Sequence, residues 1–148
     1  MELSISIPLD EEGFIELECD YCKNRFMIHN TVYKDDANLH FFCPICGLPN
    51  DVSTFFCPEV LEAAQRKAIN YALDEIQKSL GPTIKKFNKN GLVKMSIQKP
   101  KKEPEKELYS PLNQYVVSHQ SCCNVDVKVS EIDKQIGVYC PICGGSNL

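Results

Sequence analysis

The stretch Cys43-Pro44-Ile45-Cys46-Gly47 recurs near the other end of the chain as Cys140-Pro141-Ile142-Cys143-Gly144. Each copy follows a second pair of candidate ligands by about twenty residues. Two ligands that are separated by two residues can bind one ion from a tight turn, and two such turns complete a tetrahedron. The sequence therefore predicts two four-ligand metal sites, one towards each end of the chain.

The ligand types favour zinc at both sites. The first set contains four thiolates, and the second contains three thiolates and an imidazole, both of which are ordinary structural zinc sites. Four protein ligands leave no open position for water, so we expect two Zn²⁺ ions as cofactors and no enzyme activity. The predicted ligands are Cys19, Cys22, Cys43 and Cys46 for the first site, and His119, Cys122, Cys140 and Cys143 for the second.

The fourth ligand of the second site has competing interpretations. Asn24 and Asn124 each stand two residues after a candidate ligand, and asparagine tolerates the left-handed backbone conformation that such turns need. This parallel aligns Cys122 with Cys22 and makes His119 the ligand. In a second interpretation Cys123 binds the ion and His119 lies on the surface. In a third, neither Cys122 nor Cys123 takes part.

Cys57 is left over from the two sets. Its place just before Pro58, near a predicted helix start, would lower the pKa of the thiol and make it reactive. The alternative is that Cys57 is a small buried apolar residue. We favour the alternative, because no convincing base accompanies the thiol and nucleophilic catalysis needs one.

Composition and charge limit the classes of protein to which the chain can belong. It has 148 residues, nine cysteines and a net charge of −4. No N-terminal apolar stretch with a cleavage site is present, and no segment has the roughly 18 apolar residues of a membrane span. Paired cysteines then favour metal sites in a reducing compartment over disulfides. We expect a cytoplasmic protein without a membrane partner.

The chain is predicted to form a small metal-stabilised α+β fold. Two zinc ribbons of short antiparallel strands are joined by one amphipathic helix and a short β-hairpin, in which Asn90-Gly91 is the turn. Metal ligation should supply much of the folding free energy of such small units. The predicted segments are an N-terminal ribbon at 1–56, the helix at 57–81, a lysine-rich hairpin at 82–97, a linker at 98–111 and a C-terminal ribbon at 112–148.

The helix carries an apolar stripe and ends, by prediction, at Gly81-Pro82. Three interpretations of this stripe are open. It packs on the ribbons, it pairs with a second copy of the chain through residues 58–80, or it binds another protein. Its predicted members are Leu61, Ala64, Ala68, Ala72, Ile76 and Leu80, widened by Ile69 and Leu73.

The repeated Cys-Pro-Ile-Cys-Gly, paired with an upstream Cys-x-x-Cys, resembles the knuckles of rubredoxin-like and zinc ribbon proteins. The resemblance covers about half of the chain, and it implies the metal fold more strongly than any function. Rubredoxins carry one iron for electron transfer, whereas zinc ribbons contact nucleic acid, polymerase subunits or other proteins. The absence of a glycine after Cys22 and the candidate ligand His119 depart from rubredoxin and favour zinc.

We therefore expect a non-enzymatic zinc-binding adaptor that engages a protein partner. A nucleic-acid-binding role is the first alternative, because eight lysines against two acids occupy residues 81–106. A rubredoxin-like electron carrier is the second alternative. The lysines that would contact phosphate are Lys85, Lys86, Lys89, Lys94, Lys99, Lys101 and Lys102.

Overall fold

The computed structural model describes residues 4–89, 91, 101–102, 104–105, 107–108 and 114–146. The chain divides into two compact units. The first unit consists of Ser6–Val60 together with Leu108–Leu148. We call it the metal unit, because it contains two groups of four cysteines that could each hold a metal ion. We call Met1–Ile5 together with Leu61–Glu107 the helical unit.

The metal unit contains two repeats with the same order of elements. Each repeat begins with two strands joined by a tight turn and continues with a short helix. A second tight turn follows, flanked by a strand pair in the first repeat and by an isolated bridge in the second. The first repeat, residues 14–51, comprises β1 Phe14–Glu18, β2 Arg25–His29, α1 Asn30–Tyr33, β3 His40–Phe42 and β4 Pro49–Asp51. The second repeat, residues 116–146, comprises β5 Val116–Gln120, β6 Val125–Val129, α3 Glu131–Ile136 and an isolated bridge between Tyr139 and Ser146.

The two repeats share one antiparallel sheet, in the strand order β1-β2-β6-β5. At the junction of β2 with β6, Met27 pairs with Lys128 and Ile28 pairs with Val127. Ile28 and Val127 are completely buried there. Each strand thus meets its counterpart from the other repeat, as in a two-fold interface between identical subunits.

The same pseudo-two-fold relation joins the two Cys-Pro-Ile-Cys turns. The Phe42 amide donates a hydrogen bond to the Pro141 carbonyl at 2.9 Å, and the Tyr139 amide donates one to the Pro44 carbonyl, also at 2.9 Å. Reciprocal bonds between equivalent residues satisfy backbone groups of both repeats at once. The arrangement therefore makes each metal-site turn a support for the other.

The core of the metal unit draws on both repeats and on the segment that follows β4. Phe55, in the 3₁₀ helix Val52–Phe55, packs edge to face on Phe26. Three cysteines of the predicted ligand sets are completely buried among these side chains. The buried cluster is Ile15, Leu17, Cys19, Phe26, Ile28, Phe41, Cys43, Phe55, Val127, Val129 and Val138, and Cys140 is a further completely buried residue.

Helix α2 spans Pro58–Lys89, so it begins where the sequence predicts and runs further. Its first turn is held in the metal unit, where Arg25 donates to Glu59 at 2.8 Å and also bonds Glu16 and Glu18. Pro82 lies inside the helix instead of ending it. The first arm of the predicted hairpin at 82–97 is therefore helical up to Lys89, while its second arm lies outside the described residues.

The division into units also differs from the predicted segments. The prediction gave the ribbons at 1–56 and 112–148 separate places in the chain, but their strands lie in one sheet of one unit. Most of the predicted linker at 98–111 lies outside the described residues. Within the described part, Lys102 of that segment pairs with Asp74 of α2 at 2.8 Å.

Candidate metal centres

The first tetrad consists of Cys19, Cys22, Cys43 and Cys46, as the sequence predicts. Cys19 and Cys22 lie in the turn between β1 and β2, while the other two lie in the turn between β3 and β4. The four sulfur atoms lie within 4.8 Å of one another. The Cys19–Cys46 and Cys22–Cys43 sulfur pairs are both 3.7 Å apart.

These distances fit an ion held by four thiolates. A regular tetrahedron with zinc–sulfur bonds of about 2.3 Å has sulfur–sulfur edges of about 3.8 Å. A disulfide would bring two sulfur atoms to about 2.05 Å, and all nine cysteines are free thiols. The tetrad therefore has the donor atoms and the spacing of a closed metal site.

The second tetrad consists of Cys122, Cys123, Cys140 and Cys143. Its sulfur atoms also lie within 4.8 Å of one another, and those of Cys122 and Cys143 are 3.4 Å apart. Three of its four members match the predicted set. The fourth differs, because Cys123 takes the place that was predicted for His119.

The alternation of side chains along β5 explains why His119 is not in this tetrad. Ser118 and Gln120 face inwards, whereas Val117 and His119 are exposed. On the exposed side, His119 Nδ1 lies 2.6 Å from a carboxylate oxygen of Asp126, its cross-strand partner on β6. The histidine is thus part of a surface pair with Asp126. The structure agrees with the second interpretation, in which His119 lies on the surface and Cys123 belongs to the candidate ligand set.

The turn geometry corrects the alignment on which the choice of His119 depended. The left-handed residue of the first turn is Lys23, with φ of 60°, and that of the second is Asn124, with φ of 52°. Asn24 has no such conformation, so Cys22 corresponds to Cys123 and not to Cys122. The β5–β6 turn is two residues shorter than the β1–β2 turn, and it presents its two ligands from adjacent positions.

Both Cys-Pro-Ile-Cys turns end on the glycine that the sequence indicates. Gly47 and Gly144 have φ of 74° and 71°, and their amides donate to the carbonyls of Cys43 and Cys140. A Cβ on Gly144 would lie 2.8 Å from the ring of Phe42, and one on Gly47 would lie 3.1 Å from the ring of Tyr139. The two glycines therefore allow both the turn and the close contact with the other repeat.

The electrostatic surroundings of the cysteines differ between the tetrads. Burial raises the pKa of the Cys43 thiol, because the thiolate is poorly solvated there. The Gly145 amide, which donates to the Cys143 sulfur at 3.4 Å, and hydrogen bonds with the neighbouring thiols of Cys122 and Cys123 lower the pKa of the Cys143 thiol to about 7. Amide donors of this kind stabilise the thiolate form that binds a metal ion.

Cys57 lies outside both tetrads and is 4 % exposed. Burial raises the pKa of its thiol to about 12, although Arg25 lies near enough to oppose the shift. The Cys57 sulfur is 3.6 Å from the Glu16 carbonyl oxygen. The structure thus gives Cys57 the character of a buried apolar residue and not that of a thiol activated by a helix start.

The predicted nucleic-acid lysines are only partly described. Lys94 and Lys99 lie outside the described residues, and Lys102 is paired with Asp74. Lys85, Lys86 and Lys89 are exposed in the last turns of α2, where positive charge also stabilises the helix dipole. Their position has an explanation within the helix and does not by itself indicate a phosphate-binding surface.

The predicted apolar stripe of α2 is largely solvent-exposed. Leu61, Ile69, Ile76 and Leu80 retain between 45 and 53 % of their accessible surface. Ala64 and Leu73, the other predicted members with larger burial, are half-buried. We call the exposed set of Leu61, Ala68, Ile69, Ala72, Ile76 and Leu80 the docking stripe.

Comparison of the chain with models of protein families, with curated proteins and with solved structures finds no match. A search of the helices in the described residues finds none with the length and apolar content to cross a bilayer.

Proposed function

We propose that this chain is a non-enzymatic zinc-binding adaptor in which each cysteine tetrad holds one Zn²⁺ ion and the docking stripe of α2 binds another protein. The observation that carries the proposal is the exposure of an apolar stripe on a 32-residue helix. Exposed apolar patches of this extent commonly mark interaction sites.

The tetrads support the structural half of the proposal. Four thiolates complete the coordination of a tetrahedral ion, so no position remains for a water molecule or a substrate. Cys19 and Cys43 belong to the buried core cluster, and Cys140 of the second tetrad is also completely buried. An ion in each tetrad would thus hold the shared sheet and its turns together, as structural zinc does in other small folds.

The docking stripe supports the adaptor half. From Leu61 to Leu80 it extends along about 29 Å of helix, since each residue adds about 1.5 Å. Members at spacings of three, four and seven residues are the anchors by which an amphipathic helix enters an apolar groove. The partner expected from this chemistry is a protein with an apolar groove or a second amphipathic helix.

Elemental analysis and native mass spectrometry of the purified chain test the metal sites. We expect two zinc ions per chain and a colourless protein. A red protein containing iron would instead support the electron-carrier alternative, because tetrahedral sulfur sites accept either metal. Lys23 after Cys22, in place of a glycine, remains the feature of the chain that favours zinc.

Site-specific photo-crosslinking tests the docking stripe. A photoreactive amino acid at Ile69 should give a discrete crosslinked protein in the native host, and Ile76→Asp in the same chain should abolish it. The matched control has the probe at Lys78, which is exposed and lies on the opposite face of the helix from Ile69. Equal crosslinking from both positions would contradict the proposal, and a crosslink to the chain itself would identify the partner as a second copy.

A nucleic-acid role would depend on the exposed lysines Lys85, Lys86 and Lys89 at the end of α2, whose position the helix dipole also explains. If they bind phosphate, affinity for single- or double-stranded probes should fall steeply with salt. Absence of binding at low salt would remove this candidate.

A further inference from the structure

The two tetrads differ in their access to solvent. In the first, Cys19 and Cys43 are completely buried, and Cys22 and Cys46 are half-buried. In the second, Cys140 alone is buried, Cys123 is half-buried, and Cys122 and Cys143 are exposed. Small reagents in solution therefore reach sulfur atoms of the second tetrad directly, whereas the protein shields much of the first.

A cavity also lies beside one member of the second tetrad. It has a volume of about 400 Å³, lies beside Cys123 and is lined by Val125 and Ile142 of the second repeat, together with Thr31, Val32, Asp35 and Asn38. Cys122 and Cys143 are exposed residues, and their sulfur atoms are 3.4 Å apart. This pair has both the access and the proximity that disulfide formation requires.

We propose that the second tetrad is an oxidant-sensitive metal site, in which hydrogen peroxide joins Cys122 to Cys143 and thereby releases the ion while the first tetrad keeps its own. The inference depends on the proposed zinc binding. It adds a site of reversible oxidation to a chain whose metal centres would otherwise be purely structural.

The chemistry balances with peroxide as the only added reagent. The Cys122 thiolate takes one oxygen from hydrogen peroxide, which forms a sulfenic acid and releases hydroxide. The Cys143 thiolate then attacks this sulfur, which forms the disulfide and releases a second hydroxide. The two thiolates lose two electrons in total, and these reduce one peroxide. Cys123 and Cys140 remain as two ligands, too few to retain the ion.

Peroxide titration of the zinc-loaded full chain tests the inference. A coloured zinc indicator follows metal release, native mass spectrometry counts the ions that remain, and peptide mapping locates disulfides. We expect one ion to leave at a peroxide dose that retains the other, with Cys122 linked to Cys143 and the first tetrad reduced. Dithiothreitol with added zinc should restore the starting species.

Two variants keep the test decisive. Cys57→Ala removes the thiol outside the tetrads and should leave release unchanged, because that sulfur is buried. Cys143→Ser should load one ion at the start and release none at the same dose. If this variant fails to fold, the wild-type peptide map alone decides whether Cys122 and Cys143 are joined.

The possible failures can be told apart. A preparation that contains no metal before peroxide is added would overturn the zinc-binding proposal and this inference together. A preparation with two ions that are lost at the same dose, or lost first from the tetrad of Cys19, would overturn this inference alone. So would release of one ion without a disulfide between Cys122 and Cys143.

Discussion

At the scale of single residues, the most unusual group is Lys128, a lysine in the middle of the shared sheet. It is 6 % exposed, and it forms a salt bridge with Asp10, which is 8 % exposed. Its ammonium group lies 4.5 Å from the centre of the Phe14 ring. Burial opposes ionisation of Asp10, but the hydrogen bonds from Lys128 and from the Phe14 and Glu12 amides outweigh it and lower the pKa of Asp10.

Removing one partner of this pair should destabilise the protein strongly. Lys128→Met leaves the Asp10 carboxylate buried without its cation, which costs about 3–5 kcal/mol in comparable cases. The double variant Asp10→Asn with Lys128→Met should recover most of that loss. Denaturant unfolding of the zinc-loaded forms at neutral pH measures both. A single variant as stable as the wild type would show that the pair contributes little.

The same pair predicts a dependence of stability on pH. Because the pKa of Asp10 is lowered in the folded protein, its contribution is present above the ordinary aspartate pKa of about 3.9 and is lost as pH falls through the lower, folded value. The double variant should lose less stability than the wild type over this acidic range. Unfolding curves of both proteins under identical metal conditions provide the comparison.

Cys57 should resist alkylation in the folded protein. Burial raises the pKa of its thiol to about 12, whereas an ordinary cysteine has a pKa of about 8.5, so at pH 8 the reactive thiolate is scarce. Iodoacetamide treatment followed by peptide mapping should leave Cys57 unmodified. In the denatured, metal-free chain it should react like other cysteines. Rapid modification of the folded form would contradict the buried position.

Residue patterns predicted seven of the eight tetrad members and missed Cys123. The miss has a physical cause, since the left-handed residue of the first turn is Lys23 and sequence preference pointed to Asn24. A one-position error in that alignment exchanges Cys122 for Cys123 as the equivalent of Cys22. The inward and outward alternation along β5 was the available signal, because it places His119 on the exposed face.

At the scale of elements, the Cys-Pro-Ile-Cys turns depend on their glycines. Gly144→Ala should destabilise the metal unit by about 1–3 kcal/mol. The alanine would have to adopt the left-handed backbone conformation of Gly144, and its Cβ would lie 2.8 Å from the Phe42 ring. Gly81→Ala is the matched control. Nothing lies within 4 Å of that added Cβ, and alanine in a helix is more favourable than glycine by about 0.5–1 kcal/mol.

Thermal and denaturant unfolding of the two variants checks the expected opposite signs. Loss of stability in both variants would show that space around the glycine is not the deciding factor. Equal stability of Gly144→Ala and wild type would mean that the Phe42 ring moves aside at little cost.

Helix α2 shows the limit of local stop signals. Gly81 and Pro82 predict an end, yet the helix continues to Lys89. A proline costs about 3 kcal/mol in a helix interior, but propagation from more than twenty preceding helical residues requires no new nucleation. The lysines that follow also suit the C-terminal end of the dipole. A pattern of a few residues does not contain these contributions.

At the scale of the whole metal unit, the second repeat should depend on the first tetrad, because Cys19 and Cys43 belong to the buried core cluster that both repeats share. Cys46→Ser removes one ligand from the first tetrad, and the loss should reach the second repeat through the β2–β6 pairing and the Phe42–Pro141 hydrogen bond. Amide signals of β6 and α3 in NMR spectra should lose their dispersion along with those of β1. Tyr21→Ser is the matched control, since Tyr21 lies between two ligands but is 57 % exposed.

A well-dispersed second repeat in the Cys46→Ser protein would contradict this coupling.

The sequence predicts two ribbons that carry the same motif, but not the sheet that joins them. Alternation along β2 and β6 shows which residues are buried, yet it does not identify the neighbouring strand. The partners Ile28 and Val127 are separated by about one hundred residues, and nothing in either strand specifies the other. The pairing follows from the three-dimensional fit of the repeats.

The reciprocal contacts between Phe42 and Pro141 and between Tyr139 and Pro44 suit an origin of the chain by gene duplication. A self-complementary surface serves a molecule and its duplicate equally well, so an unfused forerunner of half this size would have associated with itself through the same bonds. Duplication and fusion of its coding sequence would preserve that association without requiring both halves to remain identical. After such a fusion the two halves could differ in the length of the first turn and in the exposure of the sulfur cluster, as they do in this chain.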